Sequence, residues 1–539
     1  MFVSLTYALV GHLLGQDVDF DLLNYHFFDP YWLLVNHMQD AAPAWLQTYY
    51  NPFIDIPFYF AARSFPAWTV GFGVAIVQSL SFPVLYLIAR FFVLRRPLAF
   101  LFAGLGMFTS IAITELGTIT GDTLTAPLIL GGVFCGLRAV SNMETGESVA
   151  SRQARRTRRP GRAVLGYAGL AGALVGVAAG LKLSGIALAI SAVASFIAVS
   201  GPLRSRVTLC AASVVGLLGG LIVSYGWWGY EMVTKFGDPI FPYLNEIFHS
   251  RYAPLASNAD PGALPHGFVQ TLFYPFVWNL HPAQVNDIGL RELTGPLLES
   301  LLIVLLLKSV AMTVKYRKWH PMFGSDLERY LVAFAVIGYF LWVTEFGYYR
   351  YFVPVEMLAF LLIFVTGRSL LGSAVPRLVS TVMMAVVIIA LLATEQVGYA
   401  TRPWWSSRYF SVPVPRTLRT ERAAFLMAGT STSPNAYVIP YFPADDYFAR
   451  IQETVTSTPS YKRAISSQLD HYNKIYLVWT DPVYGFRTDA GFMRRDAKVW
   501  GRYGFTIVPY SCILMVAKVA SIRQGVNICT LKKVVPRRD

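Results

Sequence analysis

A short stretch near the start of the chain combines acidic and aromatic residues in a way that suits sugar chemistry. Asp17, Asp19 and Asp21 bring three carboxylates into five consecutive residues, and Tyr25 and His26 follow them. Carboxylates hydrogen-bond sugar hydroxyls or take up a proton, while aromatic rings stack on sugar rings. A solvated acidic loop at a membrane surface is the alternative, and composition alone leaves both interpretations open.

The same types of residue continue further along the chain. Asp40 and Asn51 lie in the same region, and Trp228 opens a second aromatic-rich segment with Gly-Asp-Pro and Phe-Pro turn signals. We take these three residues, together with Tyr25 and His26, as candidates for substrate binding. A rigid aromatic loop of this kind either lines a groove or lies in the membrane interface.

A second acid pair, Glu115 and Asp122, lies between two apolar runs. If this stretch is helical, the spacing places both carboxylates on one helical face. Ionisable residues this close to hydrocarbon are costly and usually have a role. The alternative is a short solvated turn.

Two isolated cations complete the set of candidate residues. Lys182 interrupts a long apolar stretch, and Arg350, followed by Tyr351, precedes another. A lone lysine can reach the membrane surface without having a function. It can equally bind phosphate, because an ammonium group is a compact point charge. We expect Lys182, Arg350 and Tyr351 to contact an anionic lipid headgroup.

Membrane-embedded elements must hold these residues, because the composition is that of a multi-pass membrane protein. The 539 residues are 55% hydrophobic and 14% charged, with a mean hydropathy of +0.47. A soluble domain usually has about a quarter charged residues. About eleven apolar runs are candidate spans, at residues 1–15, 68–93, 98–113, 124–140, 164–181, 186–199, 207–227, 297–314, 330–343, 352–365 and 378–393.

Basic residues predict how these spans are oriented. The net charge is +14, and the clustered Lys and Arg residues fall in alternate connections, around residues 90–96, 152–162, 204–206, 315–318 and 368–377. Since such loops stay in the cytoplasm, we expect a bacterial inner-membrane protein with a cytoplasmic N-terminus. The charge is then explained by topology and membrane lipids, and we expect no nucleic-acid partner.

The chain changes character after about residue 395. We expect a transmembrane catalytic domain over 1–395, with outer loops at 16–66 and 228–294. A small α/β domain over 396–539 would be periplasmic. The predicted strands are 436–440, 474–479, 505–508 and 513–519, and 444–454 is compatible with a helix. Cys512 and Cys529 lie in this domain and could pair in an oxidising compartment. The predicted fold class is a polytopic all-α membrane protein with a C-terminal α/β domain.

The order of these features resembles the GT-C superfamily of membrane glycosyltransferases, which take a sugar from a polyprenyl-phosphate donor. Within it, the chain is similar to the dolichyl-phosphate-mannose mannosyltransferase and aminoarabinose transferase group. The resemblance is collinear over roughly residues 1–370. It rests on Asp21-Leu22-Leu23-Asn24-Tyr25, Asp40 with Asn51-Pro52-Phe53, Glu115 with Asp122, Gly180-Leu181-Lys182, and Arg350-Tyr351 through Pro354.

Two departures from the family pattern bear on the site. The family's Asp-Glu pair in the first loop reads Asp21-Leu22 here, so Asp17 and Asp19 compete with Asp21 for the catalytic role. The family's Lys-Pro-Pro element reads Asn51-Pro52-Phe53, which removes an expected basic contact.

The resemblance implies transfer of a hexose or pentose, with inversion, to a lipid, glycan or protein acceptor on the outer face of the membrane. Asp21 would be the general base, and Asp122 or Glu115 would orient the acceptor or assist. Lys182 and Arg350 would hold the donor phosphate and stabilise its developing charge.

No cofactor should be required for this reaction, and a divalent cation bound by Asp21 and Asp122 is the alternative. A transporter or flippase, and a polymerase or ligase for lipid-linked glycans, are the alternative functions. A non-catalytic assembly or receptor protein is a further alternative.

Overall fold

The computed structural model describes residues 2–147, 160–256, 261–285, 289–372, 377–394, 402–428, 434–451, 455–480 and 500–534. Most of the arginine-rich run at 152–162 and the expected domain boundary at 395/396 lie outside the described residues.

The described chain is mostly helical, and its helices follow the predicted apolar runs. Six helices in this part of the chain are long and apolar enough to cross a membrane, and a bent pair, Tyr349–Glu356 with Ala359–Leu371, adds a seventh candidate. The protein is therefore a multi-pass membrane protein, as predicted. The expected number of about eleven spans is not confirmed, because other apolar helices, among them Phe2–Leu14, Arg96–Met107 and Leu183–Ala198, are shorter.

In chain order the α-helices are α1 (Phe2–Leu14), α2 (Phe28–Leu34), α3 (Ile56–Ser64), α4 (Ala67–Gln78), α5 (Ser81–Phe92), α6 (Arg96–Met107), α7 (Ser110–Thr114), α8 (Asp122–Glu147), α9 (Arg162–Leu181), α10 (Ile186–Ala194), α11 (Leu203–Phe236), α12 (Asn245–Phe248), α13 (Gly267–Leu272), α14 (Tyr274–Leu280), α15 (Pro282–Val285), α16 (Thr294–Tyr316), α17 (Asp326–Glu345), α18 (Val353–Glu356), α19 (Ala359–Leu371), α20 (Arg377–Thr394) and α21 (Pro459–Leu469). A π-helix spans Leu22–His26, and a 3-10 turn spans Tyr349–Phe352.

Helix boundaries follow local sequence signals. Ser325 begins α17 through a capping box with Glu328, in which each residue satisfies a backbone N–H of the other. Helix α11 ends at Gly237, whose φ of +75° is favoured by glycine. Asp238 then accepts a hydrogen bond from the backbone N–H of Ile240 at 2.9 Å, so the Gly-Asp-Pro signal does mark a turn.

Helices α9 and α11 pack closely because glycines line their contact. A Cβ atom on Gly220 would lie 2.7 Å from the backbone nitrogen of Val177, whereas one on the adjacent Gly219 would meet nothing within 4 Å. Small residues at such contacts let membrane helices approach each other. The contact fixes the end of α9, immediately before Lys182.

The described strands of the C-terminal region form one mixed sheet in the order β1-β6-β7-β4-β2-β3, with β5 also paired to β7. Strand β2 is parallel to β3 and β4, and the other pairs are antiparallel. The strands are β1 (Phe410–Ser411), β2 (Ala424–Met427), β3 (Tyr447–Arg450), β4 (Ile475–Thr480), β5 (Phe505–Ile507), β6 (Ile513–Val519) and β7 (Ile522–Lys533).

The predicted α/β domain is confirmed, but two of its predicted elements are wrong. Strands β4, β5 and β6 match the expectation, and Cys512 forms a disulfide with Cys529 of β7. Residues Ala436–Tyr441, expected as a strand, form a buried 3-10 helix, because a short apolar run does not distinguish a strand from a buried helical turn. The stretch 444–454, expected to be helix-compatible, contains β3, where parallel pairing with β2 overrides local preference.

The first loop, residues 16–66, and the sheet share one hydrophobic core. Ala41 donates its N–H to the carbonyl oxygen of Phe448 at 2.9 Å, and Arg450 donates its N–H to the carbonyl oxygen of Ala41 at 2.8 Å. The loop therefore lies along β3, the end strand of the sheet. Trp32 of the loop and Trp228 of α11 belong to the same buried cluster as the strands.

Candidate functional site

Four charged side chains from distant parts of the sequence meet in one cluster. Arg350 donates from Nη2 to Asp21 Oδ2 at 2.7 Å, across a separation of 329 positions. Arg350 Nε lies 3.7 Å from Asp122 Oδ2, and Lys182 Nζ lies 3.0 Å from the same oxygen. We call these four residues the acid–cation cluster. It joins charged candidates from four separate motifs.

Each member of the acid–cation cluster stands at the end of a helix. Asp21 precedes the π-helix, Asp122 is the first residue of α8, and Lys182 directly follows α9. Arg350 lies in the 3-10 turn that opens the bent span. The charges therefore lie at helix ends and not in the middle of a span.

The ring of Tyr351 lies against both cations. Its centroid is 5.6 Å from Lys182 Nζ and 5.4 Å from Arg350 Cζ, within the range of a cation–π contact. Lys182 also donates to the carbonyl oxygen of Thr120, and the Ser184 hydroxyl lies 3.5 Å from Asp122 Oδ1. The three residues predicted to hold phosphate are thus neighbours.

Glu115 and Asp122 do not share a helical face, because the stretch between them is not helical and the condition of that prediction is not met. Helix α7 ends before Glu115 and α8 starts at Asp122, because the loop between them needs a positive φ at Gly117 (+78°). The loop is not solvated either. Glu115 is buried and accepts a hydrogen bond from the Thr120 hydroxyl at 2.6 Å.

Gln78, which sequence reasoning missed, organises this acidic loop from within α4. Its Nε2 donates to the carbonyl oxygens of Glu115 and Thr118, each at 3.1 Å. The same nitrogen lies 2.7 Å from the Thr123 hydroxyl, and its Oε1 accepts from the N–H of Gly117 at 2.8 Å. The one signal of this role in the sequence is that Gln78 is a single amide side chain within an apolar run.

Arg402 is a second residue that sequence reasoning missed. It donates to the carbonyl oxygen of Leu116 at 2.5 Å and to that of Thr114. The first described residues of the C-terminal region thus hold the acidic loop from its other side. The partners of Arg402 lie 286 and 288 positions away, so nothing local in the sequence reveals the role.

The three acids of the first loop have different partners. Asp17 accepts from the N–H of Ile119 at 3.1 Å and from that of Asp19 at 3.0 Å. Asp19 accepts from the N–H of Leu22 at 2.7 Å. Asp17 and Asp19 therefore bind backbone, whereas Asp21 faces the cations.

Burial and neighbouring charge separate the protonation states of these acids. Burial, reinforced by the charges of Asp17 and Asp21, raises the pKa of Asp19 well above its usual value. Burial also acts to raise the pKa of Asp21, but the positive charges around it, chiefly Arg350, outweigh this and leave the pKa lowered. Asp21 is accordingly the carboxylate that stays ionised.

Tyr25 and His26 lie in the same π-helix that follows Asp21 and are buried. His26 Nδ1 lies 2.8 Å from Asp55 Oδ1, and the Tyr25 ring packs edge-on against Tyr50 with centroids 5.2 Å apart. Both candidates therefore lie close to Asp21 along the chain and pack among aromatic side chains.

The hydrogen bonds of the other three candidates join parts of the fold and do not reach the acid–cation cluster. Asp40 accepts from the N–H of Phe448 in β3 at 3.0 Å. Asn51 donates to carbonyl oxygens of α9 at 2.7 Å and α11 at 2.8 Å. The Trp228 indole donates to backbone of the first loop at 3.0 Å. Their predicted contacts with substrate stay predictions.

Within the described ranges, no three His, Cys, Asp or Glu side chains are arranged to hold a metal ion. The carboxylates of Asp21 and Asp122 lie against cationic side chains.

Comparison with solved structures finds chains of similar structure. No family model matches the chain, and no curated protein does. The chain is similar to the crystal structure of ArnT from Cupriavidus metallidurans bound to undecaprenyl phosphate, with 14% identity and a TM-score of 0.48. The match covers 98% of this chain and 96% of that one. With identity and score this low, no residue role or activity is carried over from that protein.

Proposed function

We propose that this protein is a membrane glycosyltransferase of the GT-C type, which moves a sugar from a polyprenyl-phosphate donor to a lipid, glycan or protein acceptor. The observation that carries the proposal is the acid–cation cluster. Lys182 and Arg350 provide two adjacent cations for a phosphate, and the ionised Asp21 beside them provides a base. Since the phosphate is itself a leaving group, the enzyme needs no nucleotide.

In the proposed reaction, the hydroxyl oxygen of the acceptor attacks the anomeric carbon of the donor sugar. The bond between that carbon and the phosphate oxygen breaks, and the electron pair leaves with the phosphate. Asp21 takes the hydroxyl proton as general base. Lys182 and Arg350 stabilise the charge that develops on the phosphate. A single displacement inverts the anomeric carbon.

The ion pairs of the acid–cation cluster connect binding of the donor to the basicity of Asp21. A donor phosphate competes with Asp21 for Arg350 and with Asp122 for Lys182, because each cation lies within 3.0 Å of a carboxylate oxygen. An adjacent cation typically lowers a carboxylate pKa by about 1–3 units. Asp21, once released from Arg350, is therefore a stronger base when the donor phosphate is bound.

The position of the charges favours a transferase over a transporter or flippase. Transport sites typically lie near the midplane of the bilayer, whereas all four cluster residues stand at helix ends. We place this end of the helices and the sheet domain on the periplasmic side of a bacterial inner membrane, with the N-terminus in the cytoplasm. The Cys512–Cys529 disulfide suits that oxidising compartment.

The test measures release of undecaprenyl phosphate by the purified full chain in lipid nanodiscs. Donors are a panel of undecaprenyl-phosphate-linked hexoses and pentoses, acceptors are cell-envelope glycolipid extracts, and the readout is mass spectrometry. Asp21→Asn should lower turnover by about 10²–10⁴-fold, the typical contribution of a general base. Lys182→Ala should raise the donor KM, because it removes one of the two phosphate cations.

Asp470→Asn is the matched control, since Asp470 is exposed and lies in the sheet domain. Full turnover by Asp21→Asn would move the base to Asp19 or Asp17, and full turnover by all three Asn variants would refute the mechanism. If the wild type releases no undecaprenyl phosphate but moves the lipid between leaflets, the flippase alternative is correct.

A further inference from the structure

His26 and Asp55 form a buried pair in which one nitrogen of the imidazole ring is left over. His26 Nδ1 lies 2.8 Å from Asp55 Oδ1, and each residue is only 2% exposed. His26 Nε2 is buried as well, and it finds no hydrogen-bond partner among the residues that the structure describes. Buried polar atoms of native proteins nearly always have a partner, so this nitrogen calls for an explanation.

A second histidine–aspartate pair of the same loop shows the structural use of such a pair. His37 Nδ1 lies 3.1 Å from Asp40 Oδ2, and His37 Nε2 is hydrogen-bonded to the carbonyl oxygen of Ala444 in the C-terminal domain. Both nitrogens of His37 thus join parts of the fold. In the described chain, His26 uses one nitrogen for this purpose and keeps the other for a further group.

The π-helix places His26 on the same side as Asp21. Asp21 has helical dihedral angles (φ −64°, ψ −43°) and directly precedes the π-helix Leu22–His26. Since hydrogen bonds in a π-helix join residues five positions apart, His26 stands one turn after Asp21. On an α-helix, residues one turn apart have Cβ atoms about 5–6 Å apart. Side chains of this length meet across such a gap directly or through one water molecule.

Asp55 fixes the imidazole ring and determines which of its nitrogens is left over. An ionised carboxylate only accepts hydrogen bonds, so Nδ1 of His26 donates to it and the neutral ring has a lone pair on Nε2. The backbone N–H of Asp55 donates to the carbonyl oxygen of Pro52 at 3.0 Å, and Asn51 donates to that of Gly180 at 2.7 Å. The pair is therefore tied to the end of α9, where one of the two phosphate cations lies.

We propose that His26, held by Asp55, is a proton relay that takes the acceptor proton from Asp21 and returns Asp21 to its ionised state. Asp21 is only 8% exposed, so it has little direct access to water. Once Asp21 holds the acceptor proton, its carboxyl O–H donates to His26 Nε2 and the proton crosses. This leaves an imidazolium beside the Asp55 carboxylate, and the imidazolium gives the proton to water when the products have left. The relay rests on the proposed function, whereas the tautomer of His26 does not.

NMR of the purified full chain labelled with ¹⁵N-histidine tests the tautomer without any substrate. The chain has eight histidines, and the spectrum of His26→Asn identifies the signals of His26 by their loss. At neutral pH the wild type should show Nδ1 with a hydrogen and Nε2 without one. A hydrogen on Nε2 in the wild type would mean that this nitrogen cannot accept a proton, and would overturn the proposal.

Comparing the first turnover with later ones tests the relay, with the same donors and acceptors as above. His26→Asn keeps a hydrogen-bond donor for Asp55 but has no basic nitrogen. Its first turnover should match the wild type, because Asp21 is ionised at the start. Its steady-state turnover should fall about 10²-fold, the lower end of the contribution of a positioned acid–base group. Product should therefore appear as a burst of about one sugar per enzyme molecule, which separates transfer from the later steps.

His37→Asn is the matched control, because both nitrogens of His37 join the fold. It should lower the thermal midpoint and leave both rates of the folded fraction unchanged. Equal losses in the first and later turnovers of His26→Asn would place His26 in the transfer step or in the fold and refute the relay, and unchanged turnover would refute it too. A wild type that transfers no sugar would refute the proposed function and the relay together, while the NMR spectrum would still decide the tautomer.

Discussion

Asp29 is a buried ionisable residue in the loop that carries the candidate base. Among the residues that the structure describes, neither of its carboxylate oxygens finds a hydrogen-bond partner. Burial, together with the charge of Asp55, raises its pKa well above the usual value. Burial therefore favours the protonated form of Asp29 in the folded protein, in contrast to Asp21.

This state of Asp29 predicts how stability depends on pH. The folded state holds the proton above the pH at which the unfolded chain releases it, so the stabilisation is complete at low pH. It is lost as pH rises through the raised pKa, by at most about 1.4 kcal/mol per pH unit for one proton. Asp29→Asn lacks this proton, so its thermal midpoint should fall less than that of the wild type between pH 5 and pH 8.

Melting curves of the detergent-solubilised protein at both pH values check this prediction. Asp470→Asn serves as control, because Asp470 is exposed and pairs with an equally exposed lysine. Equal pH slopes for the wild type and Asp29→Asn would show that Asp29 is ionised in the folded state.

At this scale the sequence singled out charges that stand out against an apolar background, and the structure brings two of them together. Lys182 and Arg350 interrupt apolar stretches, and both belong to the acid–cation cluster. Gln78 and Arg402 were missed because their roles depend on backbone carbonyls of a distant loop. Which acid of the first loop faces a cation is likewise decided by tertiary contacts and not by spacing.

At the scale of elements, the packing of α9 on α11 sets the position of Lys182. Gly220→Ala should destabilise the protein by about 1–3 kcal/mol, the usual cost of overpacking, because the new Cβ would lie 2.7 Å from the backbone nitrogen of Val177. Thermal midpoints in the same detergent measure the effect.

The adjacent Gly219→Ala is the matched control, since a Cβ there meets nothing within 4 Å. It should leave the midpoint unchanged or raise it slightly, because alanine is the better helix former. Equal losses from the two substitutions would show that the helices do not pack through Gly220.

The helical elements were predictable because long apolar runs have few alternative structures. The elements of the C-terminal domain were harder to predict from sequence, as Ala436–Tyr441 and β3 show. Both are short, and all their residues except the half-buried Tyr441 are buried. Neither therefore has the alternation of apolar and polar residues that identifies a half-exposed strand. Pairing with β2 and with the first loop decides the structure of β3.

At the scale of the whole molecule, Arg450 joins the sheet domain to the first loop. It is fully buried, donates to the carbonyl oxygen of Pro43 at 2.8 Å and to Asn435 Oδ1 at 2.6 Å, and stacks on Trp45 at 3.7 Å. Hydrogen bonds to a charged group contribute about 1.5–3 kcal/mol each. Arg450→Met should therefore destabilise the protein by about 3 kcal/mol or more.

Limited proteolysis followed by mass spectrometry identifies the parts of the chain that lose stability in Arg450→Met. Cleavage should increase in the first loop and in the sheet domain together, because they share one core. Arg463→Met, at an exposed position, should leave the cleavage pattern unchanged. Increased cleavage of the sheet domain alone would contradict the shared core.

The pairing of the first loop with β3 has a consequence for biosynthesis. Asp40 and its partner Phe448 are 408 positions apart, so the ribosome completes nearly the whole helical bundle before the partner of the loop exists. Domains of large proteins generally fold as they emerge, N-terminal first. Here the segment that follows Asp21 cannot complete its pairing until the last part of the chain has been made. A chain that ends before β3 therefore lacks the strand along which the first loop lies.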